Sequence, residues 1–137
     1  MSVASDEAVV RRGPLVVAGG VLAAIVVASA ADALLALLAS AAGAPDDFKP
    51  LKASSYIFLT AVGVVAGAVG WAVVRRVSKD PRALVRWLVP TLVVVSFVPD
   101  FLLFGAGGAT GVGALLLMHV VVATAAVFAY RKVMPLS

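Results

Sequence analysis

Four apolar runs, each close to the length needed to cross a bilayer, dominate the sequence. They cover residues 14–40, 54–74, 84–104 and 111–130, and most charged residues lie outside them. About 20 consecutive apolar residues span the hydrocarbon core of a membrane as an α-helix. Long runs without alternation of polar and apolar residues favour helices over strands. The sequence therefore predicts an all-α integral membrane four-helix bundle, with residues 1–137 forming a single four-span domain.

Composition excludes an ordinary water-soluble domain. Hydrophobic residues make up 63% of the chain and charged residues 13%, against about 45–50% and about 25% in soluble domains. The absence of cysteine excludes disulfides, thiolate metal sites and oxidoreductases of the Cys-x-x-Cys type. The net charge of +4 comes from short basic clusters beside apolar runs, which fits membrane topology better than nucleic-acid binding. We expect membrane lipid as a partner and no nucleic acid.

The distribution of Lys and Arg predicts which side of the membrane each loop occupies. Only Lys49 and Lys52 fall in the connections on one side. The other side would hold Arg11, Arg12, Arg75, Arg76, Lys79, Arg82, Arg86, Arg131 and Lys132. Because cytoplasmic loops carry the excess of positive charge, both termini are expected in the cytoplasm, and the chain is expected in the bacterial cytoplasmic (inner) membrane as a multi-pass protein. The cations of residues 75–86 also suit anionic lipid head groups, although orientation alone accounts for them.

The first apolar run has a second interpretation. Arg11 and Arg12, the apolar stretch and the small residues 28–30 resemble a secretory signal with a cleavage site. The run continues as far as Leu38, however, and is longer than the apolar core of such a signal. We therefore predict a retained helix.

Local signals predict where individual helices begin and end. Asp80 followed by Pro81 is typical of an N-cap and a first helical position. Gly105, Gly107 and Gly108 predict a short hinge between the last two helices. Three aromatic residues near the cytoplasmic boundary are expected to anchor the bundle at the membrane surface. They are Trp71, Trp87 and Tyr130.

Rows of small residues predict how the helices pack, because small side chains let membrane helices approach closely. Three of the four runs contain such residues. They are Gly20, Ala24, Ala28, Asp32, Ala36 and Ser40 in the first, Thr60, Gly63, Gly67 and Gly70 in the second, and Gly108, Gly111, Ala123 and Ala126 in the fourth.

Three ionisable residues fall inside the predicted spans: Asp32, Asp100 and His119. At a rise of about 1.5 Å per residue, all three lie roughly 6–12 Å below the outer boundary of the bundle. Ionisable groups at such depth usually face the bundle interior or a water-filled cavity. A carboxylate beside a histidine fixes its tautomer, so these three are the candidate catalytic residues. Four further polar residues at similar depth are candidate binding residues. They are Tyr56, Thr60, Ser29 and Ser96.

This polar layer leaves several functions open. It suits acid–base chemistry on a lipid-like substrate, with an aspartic acid donating a proton and His119 accepting one. It also suits a proton-coupled transporter or channel subunit, for which a homo-oligomer would be expected. A non-catalytic accessory subunit or assembly partner of another membrane protein is the third alternative. The structural interpretation of the same three residues is a polar clasp between helices or a water-exposed helix end. No cofactor or metal is predicted, because one histidine excludes a bis-histidine haem and no local spacing indicates metal ligands.

The second half of the chain resembles a known family. The resemblance lies in residues 82–87, in the third apolar run, and in residues 117–123 with Met118 followed by His119. These segments are similar to an uncharacterised actinobacterial family of small four-helix membrane proteins, a domain of unknown function in which a Met-His-aliphatic pattern recurs in the last helix. The resemblance implies a four-span bundle and no particular activity.

Overall fold

The computed structural model describes residues 13–136, which form four long α-helices. They are α1 (Pro14–Ala41), α2 (Ala53–Val77), α3 (Pro81–Phe101) and α4 (Phe104–Val133), with a short 3-10 turn at Lys49–Leu51 between α1 and α2. Each of the four is long and apolar enough to cross a membrane. The predicted all-α architecture with four such helices is confirmed. Arg11 and Arg12, which contributed to the predicted orientation, lie outside the described residues.

The surface of the bundle is covered by large apolar side chains. Leu22, Val94 and Phe128 are each more than 60% exposed, and they lie on three different helices. Soluble monomers rarely expose contiguous apolar patches larger than a few hundred Å². The surface therefore suits lipid, and the four helices suggest a multi-pass membrane protein.

Helix α1 packs most closely against α4, along the predicted row of small residues. A Cβ atom added to Gly20 would lie 2.5 Å from the side chain of Val133, so the two backbones approach as only small residues allow. At the other end of the row, Ser40 is exposed and Ala39 is buried in its place. The buried residues of α1 are Ala24, Ala28, Asp32, Ala36 and Ala39.

Helix α3 begins as the sequence predicts, but α4 does not. Pro81 is the first residue of α3, and the Asp80 carboxylate accepts a hydrogen bond from the backbone N–H of Ala83 at 3.2 Å. The predicted spans 84–104 and 111–130 are shifted, because α3 already ends at Phe101 and α4 already begins at Phe104. The expected hinge at 105–108 is thus inside α4. Gly105 and Gly107 are helical, but the helix is interrupted at Gly108, where φ is 66° and ψ is −175°. The predicted hinge is therefore confirmed at that one glycine.

The two ends of the bundle are closed differently. We call the end with the α1–α2 loop (42–52) and the α3–α4 connection (102–103) the loop end. The opposite end, with the α2–α3 connection (78–80) and residues 134–136, is the terminal end. At the loop end, Phe48 is only 3% exposed and packs against Gly107 and Gly111. Ala36, Leu115 and Met118 complete this cluster, which we call the loop plug.

At the terminal end, two aromatic residues are buried rather than placed at the membrane surface. The Trp71 Nε1–H donates to the Met134 carbonyl at 2.9 Å, and the Tyr130 hydroxyl donates to the Val64 carbonyl. Their ring centroids are 5.4 Å apart. The expectation of surface anchors was wrong for Trp71 and Tyr130, because their polar tips find partners inside the bundle. The side chain of Trp87 is 76% exposed, which is compatible with the predicted position at the membrane surface.

Candidate functional site

A long cleft of about 840 Å³ lies between α2 and α3, with α4 as its floor. Helices α2 and α3 contact each other little. Leu59 on α2 and Leu92 on α3 line the cleft and are both more than half exposed. The cleft is therefore open sideways, towards the surface that the apolar side chains cover. Its α3 wall is formed mainly by Val85, Leu88, Val89, Leu92 and Val93.

Glycines on α2 widen this cleft. Cβ atoms added to Gly63 and Gly70 would meet nothing within 4 Å, although both residues line the cleft. A Cβ added to Gly67 would lie 2.7 Å from the Tyr130 hydroxyl. The prediction that the α2 row serves helix packing therefore holds at Gly67, whereas Gly63 and Gly70 face open space.

Asp32 lies at the loop-end part of the cleft and is almost completely buried. Its side chain reaches from α1 towards α2, where the Thr60 hydroxyl donates a hydrogen bond of 2.7 Å to Oδ2. The residue is 1% exposed, and Oδ1 is buried without a hydrogen-bond partner. A buried carboxyl oxygen without a partner is unfavourable and calls for an explanation.

Asp100 and His119 form a pair across α3 and α4. The His119 Nδ1 atom lies 2.9 Å from Oδ2 of Asp100 and 2.7 Å from the Leu115 carbonyl oxygen. A carbonyl oxygen only accepts, so we assign the hydrogen of the neutral ring to Nδ1, which then donates it to Leu115. Oδ2 of Asp100 is then at ion-pair distance without a hydrogen bond. When His119 is neutral, its Nε2 atom holds a lone pair.

These polar residues belong to one site. Apart from aromatic residues, the buried polar side chains among residues 13–136 are those of Asp32, Thr60 and Asp100. All three line the cleft together with His119, and the charge of a protonated His119 would act on both carboxyl groups. The three candidate catalytic residues therefore all line the same apolar cleft, in its loop-end part.

Comparison with known proteins identifies the family. The profile of DUF6069, a family of unknown function, matches residues 9–135. The chain belongs to this family. No curated protein and no solved structure gives a significant match. The DUF6069 match extends over all four helices and both walls of the cleft. Because the function of the family is unknown, the function of this chain has to be argued from the site.

The candidate binding residues of this DUF6069 protein differ in whether they line the cleft. Tyr56 is half-buried and lines the cleft near Thr60. Ser96 also lines it, but its hydroxyl donates to the Val93 carbonyl of its own helix at 2.6 Å. Ser29 is not part of the lining, and its hydroxyl is buried without a partner. No group of three His, Asp or Glu residues that could hold a metal occurs within residues 13–136.

Sequence reasoning missed two features of the DUF6069 site. One is the loop plug, in which Phe48 seals the end of the bundle above the polar residues. The available signal was that Phe48, the one aromatic residue of the loop 42–52, stands between the charged residues Asp47 and Lys49. The other is the cleft itself. An apolar pocket with a few convergent polar groups is the usual form of a small-molecule site, and this one suits a molecule with a long apolar part and a small polar head.

Proposed function

We propose that this DUF6069 protein binds a lipid-like molecule in the cleft and carries out acid–base chemistry on its head group. It would do so as a multi-pass protein of the inner membrane of an actinobacterium, with both termini in the cytoplasm and the polar site in the outer half. One observation carries the proposal: an apolar cleft of about 840 Å³ ends at two buried carboxyl groups and the histidine. Ligand pockets typically enclose about 300–1,000 Å³ and combine apolar walls with few polar groups.

The positions of the polar groups support a division of roles. Because Nδ1 of His119 donates to the Leu115 carbonyl, proton uptake falls to Nε2. The Asp100 carboxylate, 2.9 Å from Nδ1, would stabilise the imidazolium that forms. Asp32, whose Oδ2 accepts from Thr60, is placed to hold the head group as a carboxylate, and the imidazolium of His119 returns the proton that it has taken up. Groups that exchange protons with a bound substrate act as general acids and bases.

The loop plug favours a lipid over a transported ion. It packs α1, α4 and the α1–α2 loop together directly beyond the polar residues, so a path along the bundle axis is closed at the loop end. The side opening between α2 and α3 instead leads into the apolar surface of the bundle. Transport would need a second copy of the chain to supply a path.

Binding can be tested with Trp71, which lines the terminal part of the cleft. The chain contains two tryptophans, so Trp87→Phe leaves Trp71 as the only one. A fatty alcohol with bromine at the far end of its chain should quench Trp71 fluorescence saturably in detergent. Gly63→Leu, which fills open space in the cleft, should abolish this quenching. Trp71→Phe is the control, since the exposed Trp87 should show only unsaturable quenching. Quenching of Trp71 that does not saturate, or that survives Gly63→Leu, would contradict the proposal.

The chemistry can be tested in cells. Lipids extracted from a deletion strain should show an accumulated substrate, and His119→Gln should reproduce this change at normal protein level because it removes the proton acceptor. Thr124→Val is the matched control, since Thr124 lies on the same helix, is exposed and bonds only to its own backbone. Full complementation by His119→Gln, or a loss of thermal stability that explains its defect, would refute the catalytic role.

A further inference from the structure

We infer that the head group of the bound lipid is a hydrogen-bond donor, a hydroxyl or an amine, which binds Oδ1 of Asp32. This inference rests on the proposed function, because it assigns the chemistry of the molecule that occupies the cleft. Asp32 lines the cleft and is 1% exposed, and its Oδ1 atom is buried without a hydrogen-bond partner among residues 13–136. The other carboxyl oxygen of Asp32, Oδ2, already accepts a hydrogen bond from the Thr60 hydroxyl.

The hydrogen-bond donors beside the two carboxyl groups already have acceptors within the protein. The Thr60 hydroxyl donates to Asp32, the Ser96 hydroxyl to the Val93 carbonyl and the Nδ1–H of His119 to the Leu115 carbonyl. The Tyr56 hydroxyl, which lines the cleft one helical turn from Thr60, bonds to neither carboxyl group and stays available as a donor. Beside the carboxyl groups, the atoms left over are acceptors: Oδ1 of Asp32, Oδ2 of Asp100 and the Nε2 lone pair of neutral His119.

An excess of acceptors selects against head groups that only accept. An ether, ketone or ester oxygen placed beside Oδ1 of Asp32 would leave both oxygens without a hydrogen, and each would lose its hydration without compensation. A hydroxyl supplies one hydrogen to Oδ1 and an oxygen that can in turn exchange a proton with the site. A protonated amine supplies up to three hydrogens and a charge opposite to that of the carboxylates. A hydroxyl or an amine thus donates the hydrogen bond that Oδ1 of Asp32 lacks, and an ether cannot donate one.

A matched series of probes separates these head groups. Three molecules share a sixteen-carbon chain with a terminal bromine and differ only in the head: alcohol, primary amine and methyl ether. Binding is measured by quenching of Trp71 in the Trp87→Phe protein. We expect the alcohol or the amine to bind at least ten-fold more tightly than the ether. The stronger of the two identifies the donor, and a preference for the amine should weaken as the pH approaches the pKa of the free amine.

Asp32→Leu provides the second arm, since an apolar side chain of similar size replaces a buried carboxyl group without leaving an unpaired charge. We expect the ether and the alcohol to bind this variant equally well. The comparison of the three probes in the protein that retains Asp32 is decisive by itself. Ether binding as tight as that of the alcohol and the amine overturns the inference while the proposed function stands. If none of the three probes quenches Trp71 saturably, the proposed function itself is refuted.

Discussion

At the scale of single residues, the position of one proton on His119 decides what the site can do. Two acceptors, the Leu115 carbonyl oxygen and Oδ2 of Asp100, flank Nδ1 within 3 Å. Which ring nitrogen carries the hydrogen is set by such partners. The backbone carbonyl cannot change its role with pH, so it favours hydrogen on Nδ1 whether or not Asp100 is ionised.

The tautomer can be observed directly, because His119 is the only histidine of the chain. In protein labelled with ¹⁵N-histidine, we expect the neutral imidazole to carry hydrogen on Nδ1 and not on Nε2. The same pattern should persist in Asp100→Asn, since the Leu115 carbonyl is unaffected by that substitution. A neutral form with hydrogen on Nε2 would contradict the assigned roles of the two nitrogens.

Sequence alone located Asp32, Asp100 and His119 because helical rise converts chain position into depth. It could not tell which small residues of α2 meet a neighbour. Gly63 and Gly67 look alike in the sequence, and only the position of Tyr130 makes one a contact and the other part of an open wall. That difference depends on how α2 packs against α4, which no local pattern encodes.

At the scale of the elements, the loop plug couples the α1–α2 loop to the first turns of α4. Phe48 fills the space left by two missing side chains on α4, at Gly107 and Gly111. The run of apolar residues predicted both helices, and Asp80 with Pro81 predicted the start of α3. The start of α4 lies earlier than predicted, because Gly107 is helical and contacts the Phe48 ring, whereas the predicted break occurs at Gly108.

Two alanine substitutions one half-turn apart test this contact. A Cβ at Gly107 would lie 2.5 Å from the Phe48 ring, whereas one at Gly105 would meet nothing within 4 Å. We expect Gly107→Ala to lower the free energy of unfolding by about 1–3 kcal/mol, as overpacking typically does, and Gly105→Ala to leave it unchanged. Unfolding in mixed micelles measures both. Adding Phe48→Leu should recover part of the loss, and equal stability of the two alanine variants would show that the ring does not pack there.

At the scale of the whole molecule, the orientation in the membrane decides which compartment the polar site faces. The absence of cysteine makes single-cysteine variants unambiguous reporters. With the loop end outside, an impermeant maleimide applied to intact cells should label Lys49→Cys and spare Lys79→Cys. Both variants should be labelled after the membrane is permeabilised. Labelling of Lys79→Cys in intact cells would reverse the assigned orientation and place the site in the inner half of the bilayer.

The gap between α2 and α3 also determines how occupancy would be regulated. A molecule that enters the cleft from the side moves from the apolar interior of the bilayer to apolar cleft walls. The binding free energy contributed by its hydrocarbon tail would therefore be small. Selection then falls on the few atoms of its head, and loading follows the mole fraction of that lipid among its neighbours. Such a protein would respond to changes in bilayer composition, and a dissociation constant expressed in molar units of aqueous solution would not describe it.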